Sequence, residues 1–189
     1  MNKRIKTLFL LFICLNVMCQ EPIEPDWKDL NYAGNEQGYH TMDIYLPKEN
    51  KKKYPVVMTI YGSAWGRNDK KGANKRKKEA LIKSGFAVVS INHRSSYDAI
   101  FPAQIHDVKA AIRFIRGNAK KFKIDTSFFG ITGISSGGHL ACLAGTTSFN
   151  KSMEGNLGKF LNFSSHVDAV VDFYGPTDFL MMDICGSKM

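Results

Sequence analysis

The sequence predicts an α/β fold with a doubly wound, mostly parallel sheet. Mainly apolar runs, typical of parallel strands covered on both faces, occur at 55–61, 86–92 and 169–174. Helical segments separate these runs, so strands and helices alternate along the chain. Small or polar residues follow the strands directly, at the edge where such sheets bind ligands. A single domain accounts for the length of 189 residues, of which 44% are hydrophobic.

Residues 1–19 precede this domain and have the composition of a secretory signal peptide. Basic residues open the segment, and its apolar run at 8–15 is too short to span a bilayer. Cleavage after Cys19 leaves Gln20 as the first mature residue, and lipid attachment at Cys19 is the alternative. We therefore expect a secreted or periplasmic protein without a transmembrane span.

Charge and cysteine content argue against several other classes. The formal net charge is +9, and the positive residues beyond the leader concentrate at 48–53 and 67–78. Neither cluster interleaves aromatic and basic residues as a base-stacking surface does, so we expect solvated loops, with anion binding as the alternative, and no nucleic-acid partner. Cys142 and Cys185 form neither a disulfide framework nor a zinc motif, so Cys142 is predicted to be a small core residue, and no cofactor or metal is expected.

The first elements are predicted from alternation and turn residues. Residues 20–38 are predicted to be an N-terminal lead and 39–189 the domain itself. Short strands are predicted at 30–33, within the lead, and at 40–46. The buried strand 55–61 then leads into the sequence Gly-Ser-Ala-Trp-Gly at 62–66. Small residues there can leave backbone amides accessible to an anion, and a plain strand-to-helix turn is the alternative.

The middle of the chain continues the alternation. A helix is predicted at 74–84, followed by the buried strand 86–92 and the polar loop 93–97. Pro102 opens a helix that is predicted to run to Phe122, because its apolar residues recur on one stripe.

The last part is predicted to contain a strand at 128–132, a small-residue helix and a final buried strand at 169–174. Between that helix and the final strand, residues 149–167 are rich in Gly, Asn and Ser, which predicts an irregular surface segment.

The corner between strand 128–132 and its helix carries the chemistry. Residues 133–137 read Gly-Ile-Ser-Ser-Gly, which is the G-x-S-x-G pattern. A serine on such a strained strand-to-helix turn has its hydroxyl pushed out above the sheet, and glycines let the neighbouring backbone pass. Ser135 is therefore the candidate nucleophile.

With these pieces in this order, the sequence resembles the α/β-hydrolase superfamily, and within it the secreted carboxylesterases related to bacterial feruloyl and acetylxylan esterases. The resemblance is carried by IYGSAW (60–65), VVSINHRSS (88–96), FPAQIHDVKAAIRFIR (101–116), GISSGGHLA (133–141) and VVDFYGPTDF (170–179). It implies a serine carboxylesterase that forms an acyl-enzyme. Its substrate would be a small-molecule or polysaccharide-linked ester, with acetyl or feruloyl as the acyl group. The resemblance leaves the oligomeric state open.

The resemblance also implies roles for individual residues. Ser135 matches the nucleophile, and the backbone amides of Ser136, Ser63 and Ala64 match the oxyanion hole. Trp65 would lie near the substrate pocket, with core or rim packing as the alternative. The family has a His-Gly-Gly-type loop where this chain has Tyr-Gly-Ser-Ala, so the loop here is less free in φ.

The triad acid and base are where the chain departs from the family, which follows the order Ser, acid, His. Downstream of Ser135 the only histidines are His139, predicted to pack or cap, and His166. Glu154 followed by His166 satisfies the order formally, but both fall in the irregular segment. We therefore expect an incomplete hydrolase domain, truncated before the last strands and lacking acid and base.

Two other functions stay open at this point. One is a non-catalytic fragment that binds ligand at most. The other is a peptidase of the prolyl-oligopeptidase type, which shares the serine corner, although no large domain lies between the leader and the hydrolase core.

Overall fold

The computed structural model describes residues 23–67, 69–72 and 75–182, which form a six-stranded sheet flanked by helices. The leader 1–19, Gln20 and Cys185 lie outside the described residues, and so do the predictions made for them. The strands are β1 (Trp27–Asn31), β2 (Thr41–Tyr45), β3 (Tyr54–Ile60), β4 (Ala87–Ile91), β5 (Ile124–Ile134) and β6 (Ala169–Phe173). The helices are α1 (Lys75–Lys83), α2 (Ala103–Gly117), α3 (Ser136–Thr146) and α4 (Lys151–Glu154), with 3-10 turns at Gly38–His40 and Phe179–Met181.

The sheet order is β1-β2-β4-β3-β5-β6. Strands β4, β3, β5 and β6 run parallel to one another, whereas β2 is antiparallel to both β1 and β4. The prediction of a mostly parallel sheet is therefore confirmed, and the antiparallel pair forms one edge. This arrangement is the α/β-hydrolase fold.

Helices cover both faces of the sheet, as doubly wound folds require. Ile82 of α1 packs with Tyr45 and Val88. Their neighbours Ile44 and Val89 belong instead to the main core, together with residues of α2 and α3. Because successive side chains of a strand point to opposite faces, α1 lies on one face and the α2–α3 pair on the other.

Element boundaries differ from the prediction in ways that have local causes. β1 begins at Trp27, inside the segment 20–38 predicted to be a lead. β5 begins at Ile124, because Pro55 pairs with Asp125 and Val56 with Phe129, so the residues between them bulge out of the ladder.

Helix boundaries differ too. α2 ends at Gly117 instead of Phe122, where the Asn118 N–H closes the last turn on the Phe114 carbonyl at 3.1 Å. One short helix, α4, lies within the segment predicted to be irregular.

A buried polar cluster fixes the loop that follows β4. The Asp107 carboxylate is fully buried and accepts hydrogen bonds from the Arg94 backbone N–H at 2.8 Å and from its guanidinium Nη2 at 2.6 Å. His40 Nε2 lies 3.3 Å from the same carboxylate. Burial alone raises the pKa of Asp107, but the neighbouring His40 imidazole and the hydrogen bonds from Arg94 outweigh it and lower that pKa below its usual value. Asp107 of α2 thus fastens the loop after β4 through Arg94.

Candidate active site

The corner after β5 has the backbone of a nucleophile elbow. Ser135 adopts φ 54° and ψ −124°, and α3 begins at the next residue. A residue with a side chain avoids this region unless its surroundings hold it there. Here the Ser135 N–H donates to the Phe173 carbonyl of β6 at 2.9 Å, which ties the turn to the neighbouring strand. The Ser135 side chain is partly exposed, and none of the described residues forms a hydrogen bond with its hydroxyl.

Two glycines let the backbone segments around Ser135 approach one another. A Cβ added to Gly62, in the loop after β3, would lie 2.1 Å from the Ile134 carbonyl oxygen. A Cβ added to Gly137, in the first turn of α3, would lie 2.5 Å from the Ile60 carbonyl oxygen. Both contacts are shorter than any side chain tolerates, so the loop after β3 can touch the elbow only with glycine at these positions.

Residues 62–66, which we name the 62–66 loop, carry two of the three predicted oxyanion donors. The Ser63 N–H donates to the Ser136 hydroxyl oxygen at 2.9 Å. Within the described part of the chain, the Ala64 N–H has no acceptor. The Ser136 N–H lies in the first turn of a helix, where amides have no intrahelical acceptor. Ser136 and Ala64 therefore offer free amides beside Ser135, whereas the Ser63 amide is engaged.

The 62–66 loop is held by several further hydrogen bonds. The Ser63 hydroxyl donates to the Arg67 carbonyl at 2.7 Å and accepts from the Arg67 N–H at 3.1 Å. The Gly66 N–H donates to the Ser63 carbonyl at 2.9 Å, and the Ser96 N–H donates to the Trp65 carbonyl at 2.8 Å. Ala64 and Trp65 have φ of 49° and 59°, in the left-handed region that favours glycine.

Trp65 belongs to an aromatic cluster at the mouth of a cleft. Its ring meets the rings of His139 and Phe179 edge-on, with centroids 5.4 and 5.6 Å away, and His139 and Phe179 are 5.0 Å apart. Trp65, His139 and Phe179 line a mainly apolar cleft of about 780 Å³ between α2, α3 and the chain after β6. His139 therefore packs, as predicted, and burial lowers the pKa of its imidazole below the usual value.

Cys142 is not the core residue that the sequence predicts. It is partly exposed on the wall of the same cleft. Burial raises the pKa of the Cys142 thiol, and the nearby Asp172 carboxylate raises it further, so the thiol is protonated at neutral pH.

Glu154, the first acid after Ser135, is bound by basic side chains of α2. Its carboxylate accepts from Lys109 Nζ at 2.7 Å and from Arg113 Nη1 at 3.1 Å. The Ser165 hydroxyl donates to the same carboxylate at 2.7 Å. Lys109 and Arg113 are buried, so Glu154 neutralises two desolvated charges and fastens residues 150–166 to α2. It is not placed to orient a base at Ser135.

His166 lies at the other end of the sheet. Its Nε2 is 3.8 Å from Asp168 Oδ1, and Asp168 Oδ2 accepts from the Phe129 N–H at 2.7 Å. Phe129 is six residues before Ser135 along β5, a distance of about 20 Å in an extended strand. The exposed His166 ring therefore cannot take a proton from Ser135.

The remaining described acids have structural partners as well. Asp172 Oδ1 accepts from the Gly175 N–H at 2.9 Å. Asp178 Oδ1 accepts from the Leu180 and Met181 amides at 3.1 and 3.3 Å and so caps a 3-10 turn. Asp183 lies outside the described residues. His93, at the end of β4, is buried, and burial lowers its pKa.

Two features of the site escaped the sequence. The hydrogen bond between Ser136 and Ser63 joins residues 73 positions apart, and nothing in either local pattern signals it. The second feature is the pairing of Glu154 with Lys109 and Arg113, and the only signal for it in the sequence was the presence of these two basic residues in the α2 segment.

In the described part of the chain, no three His, Cys, Asp or Glu side chains come together as a metal site would require. No described helix combines the length and the apolarity that crossing a bilayer takes.

Comparison with known proteins places this geometry among esterases. A family model, BD-FAE, matches residues 42–189. A bifunctional GH43-CE protein from Bacteroides eggerthii is 56% identical with a TM-score of 0.82, covering 84% of this chain and 22% of that one. A truncated form of a carbohydrate esterase from gut microbiota is 50% identical with a TM-score of 0.84, covering 88% of this chain and 62% of that one.

A curated relative is more distant. Esterase LipC of Mycobacterium tuberculosis is 33% identical over 138 residues, which are 72% of this chain and 34% of that protein. The chain thus spans about a third of the length of this relative.

Proposed function

Because the chain belongs to the BD-FAE family and has the α/β-hydrolase fold, we propose that it hydrolyses acyl esters through a covalent intermediate on Ser135. The observation that carries this proposal is the backbone of Ser135, with φ 54° and ψ −124° at the start of α3. That conformation presents a serine hydroxyl above the sheet, next to free backbone amides. Such a combination serves acyl transfer and has no evident structural use.

The described residues supply nucleophile and oxyanion stabilisation. Ser135 Oγ bonds to the ester carbonyl carbon while its proton passes to a base, and the carbonyl oxygen becomes an oxyanion. The amides of Ser136 and Ala64 are the donors we assign to that oxyanion. The Ser63 amide is not assigned to it, because it donates to the Ser136 hydroxyl. The oxyanion then collapses and expels the alcohol, which takes up a proton. Water attacks the acyl-serine in the same way and releases the carboxylic acid.

The acid and base of the triad must come from outside the described residues. The carboxylates of Glu154, Asp168, Asp172 and Asp178 each hold another group in place. The His139 ring packs against Trp65 and Phe179, and His166 lies at the far end of β5. Removing a triad partner slows such enzymes by several powers of ten, with a residual rate that the oxyanion hole sustains. We infer that acylation of Ser135 by the described residues alone is slow, and release of the acyl group slower still.

We infer that the substrate is an ester on a carbohydrate, with acetyl or feruloyl as the acyl group. The 50% identity to a carbohydrate esterase supports the class of alcohol. Trp65, at the mouth of the apolar cleft, is the substrate-pocket residue we assign. Initial rates with p-nitrophenyl acetate, methyl ferulate and acetylated xylan would rank the acyl groups and the alcohol.

We also propose that residues 1–19 are removed on export, that 39–189 form the hydrolase domain, and that the protein is secreted or periplasmic. The N-terminal residue of the protein recovered from cells tests this. Gln20 at the N-terminus supports cleavage, a lipid on Cys19 indicates anchoring, and an intact Met1 contradicts both.

The release of p-nitrophenolate from p-nitrophenyl acetate tests the activity. We expect a burst from the wild-type chain that Ser135→Ala abolishes. Ser127→Ala is the matched control, because Ser127 is an exposed serine on the same strand, at its far end. A burst of equal size from Ser135→Ala would rule out the proposed nucleophile.

A further inference from the structure

We propose that the Ser136 hydroxyl is a positioning residue that holds the 62–66 loop in the shape needed for oxyanion binding. The proposal rests on one contact, the 2.9 Å hydrogen bond from the Ser63 N–H to Ser136 Oγ. The inference builds on the proposed function, since it concerns the same acyl-transfer site. It adds a role for the side chain of a residue whose backbone N–H is the oxyanion donor.

The 62–66 loop needs such support because of its sequence. Ala64 and Trp65 both have positive φ, and each carries a Cβ that makes this region sterically unfavourable. A loop with glycines at these positions would adopt the same backbone without that cost. The loop therefore stays in this conformation only while contacts around it hold it there.

Ser136 is placed to provide the contact nearest to the chemistry. Its side chain is buried, with 2% of the residue exposed, so water does not compete with the hydroxyl for the Ser63 amide. The other hydrogen bonds of the loop go to partners outside α3: the Ser63 hydroxyl donates to the Arg67 carbonyl, and the Trp65 carbonyl accepts from the Ser96 N–H. Among the hydrogen bonds of the described residues, only the one to the Ser136 hydroxyl joins the loop to α3, which otherwise meets the loop through the rings of His139 and Trp65.

The bond also distinguishes between the two loop amides. An N–H has a single hydrogen to donate, so the Ser63 amide is engaged while this bond persists. The next amide, that of Ala64, has no acceptor among the described residues and is left free to bind an oxyanion. By holding the first amide, Ser136 fixes the peptide that leads to the second.

Hydrogen exchange of individual amides tests the contact without any use of activity. In the wild-type chain, we expect the Ser63 amide to exchange at least tenfold more slowly than the Ala64 amide. Ser136→Ala should remove this difference, and Ser136→Thr, which keeps the hydroxyl, should retain it. Equal exchange of the two amides in the wild type would overturn the proposal, even if no Ser136 variant folds. Because this readout needs no turnover, it stands whether or not the chain is an esterase.

A double-mutant cycle tests the role in catalysis. Ser136→Ala keeps the oxyanion-binding N–H, so we expect the maximal acylation rate by p-nitrophenyl acetate to fall about fivefold, with the KM unchanged. In the background of Ala64→Gly, which removes the unfavourable Cβ, the same substitution should cost less than twofold. An equal loss in both backgrounds would mean that Ser136 only packs, and it would overturn the proposal. Absence of acylation in the wild type would instead contradict the proposed function.

Discussion

The elbow and the segment after it, residues 149–182, treat their reactive groups in opposite ways. At the elbow, the Ser135 hydroxyl has no described partner, and the amides of Ser136 and Ala64 are free. In residues 149–182, every described carboxylate accepts a hydrogen bond from a backbone amide or a side chain. The elbow therefore leaves its hydroxyl and amides available to a ligand, whereas residues 149–182 use their carboxylates to stabilise the local structure.

The two regions also differ in how they are packed. Around the elbow, carbonyl oxygens lie where a Cβ of Gly62 or Gly137 would be. On β6, by contrast, half of the Val171 surface is exposed, and after the strand Tyr174 and Leu180 are exposed more fully. We therefore expect substitutions near the elbow to have the largest effects on chemistry, and substitutions on β6 to be tolerated.

The largest effect should come from Gly62→Ala. The added Cβ meets the Ile134 carbonyl oxygen, so the 62–66 loop must move away from the elbow. If the loop carries the proposed oxyanion donor, its displacement by about 1 Å costs roughly 100-fold in rate, and the crowding costs about 1–3 kcal/mol of unfolding free energy. Acylation kinetics and urea unfolding measure the two effects. Gly38→Ala is the control, since nothing lies within 4 Å of its Cβ, and an equal loss there would contradict this account.

Glu154→Ala tests the other side of the comparison. Removal of this carboxylate leaves the buried Lys109 and Arg113 without their partner, so the free energy of unfolding should fall by about 3 kcal/mol. Acylation of Ser135 in the folded variant should stay within twofold of the wild type. Glu49→Gln, which breaks the exposed pair with Lys51, should change stability by less than about 0.5 kcal/mol. A selective loss of acylation in Glu154→Ala would instead make Glu154 a triad acid.

Acid should weaken the same contact. Burial raises the pKa of Glu154, but hydrogen bonds from Lys109 and Ser165 outweigh it, so the pKa in the folded state is below its usual value. The unfolded chain, with a pKa of roughly 4.3, then binds the proton more readily. The stability from Glu154 is therefore present above about pH 4.3 and is lost as the pH falls through the folded-state pKa. Between pH 5 and 3, we expect the urea midpoint to fall less in Glu154→Gln than in the wild type. An equal fall in the two proteins would contradict this role of Glu154.

The smallest effect should be that of Val171→Ala on β6. Because the Val171 side chain is half exposed, the free energy of unfolding should change by less than about 0.5 kcal/mol. Val89→Ala, at a fully buried valine of β4, should cost about 2 kcal/mol. Thermal melts of the two variants side by side measure the contrast. Equal losses would mean that β6 is as tightly packed as the centre of the sheet.

The sequence predicted the fold well where strands are mainly apolar along their length. β3, β4 and β6 lie within a residue or two of their predicted ranges, because strands covered on both faces have a clear composition. β1 was placed late and β5 short, since the former is an exposed edge and the latter contains a bulge. Bulges and edges depend on pairing with distant strands, which local composition does not record.

The site was predicted in its backbone and less well in its side chains. The G-x-S-x-G pattern predicted the turn at Ser135, and the glycine, serine and alanine after β3 predicted the adjoining loop. The bond between Ser136 and Ser63 depends on the contact of two distant segments, so the sequence could not reveal it. The same holds for the partial exposure of Cys142, which depends on the cleft beside α3.

The most direct test of the account is to map the acyl group after treating the 189-residue chain with p-nitrophenyl acetate. Acyl release also needs a base, and the described residues place none at Ser135, so the acetyl ester should accumulate there. We expect peptide mapping to find one hydroxylamine-sensitive acetyl ester, on Ser135, that persists for many minutes and is missing in Ser135→Ala. An ester at another serine, or no ester on Ser135 while the chain is folded, would contradict the central claim.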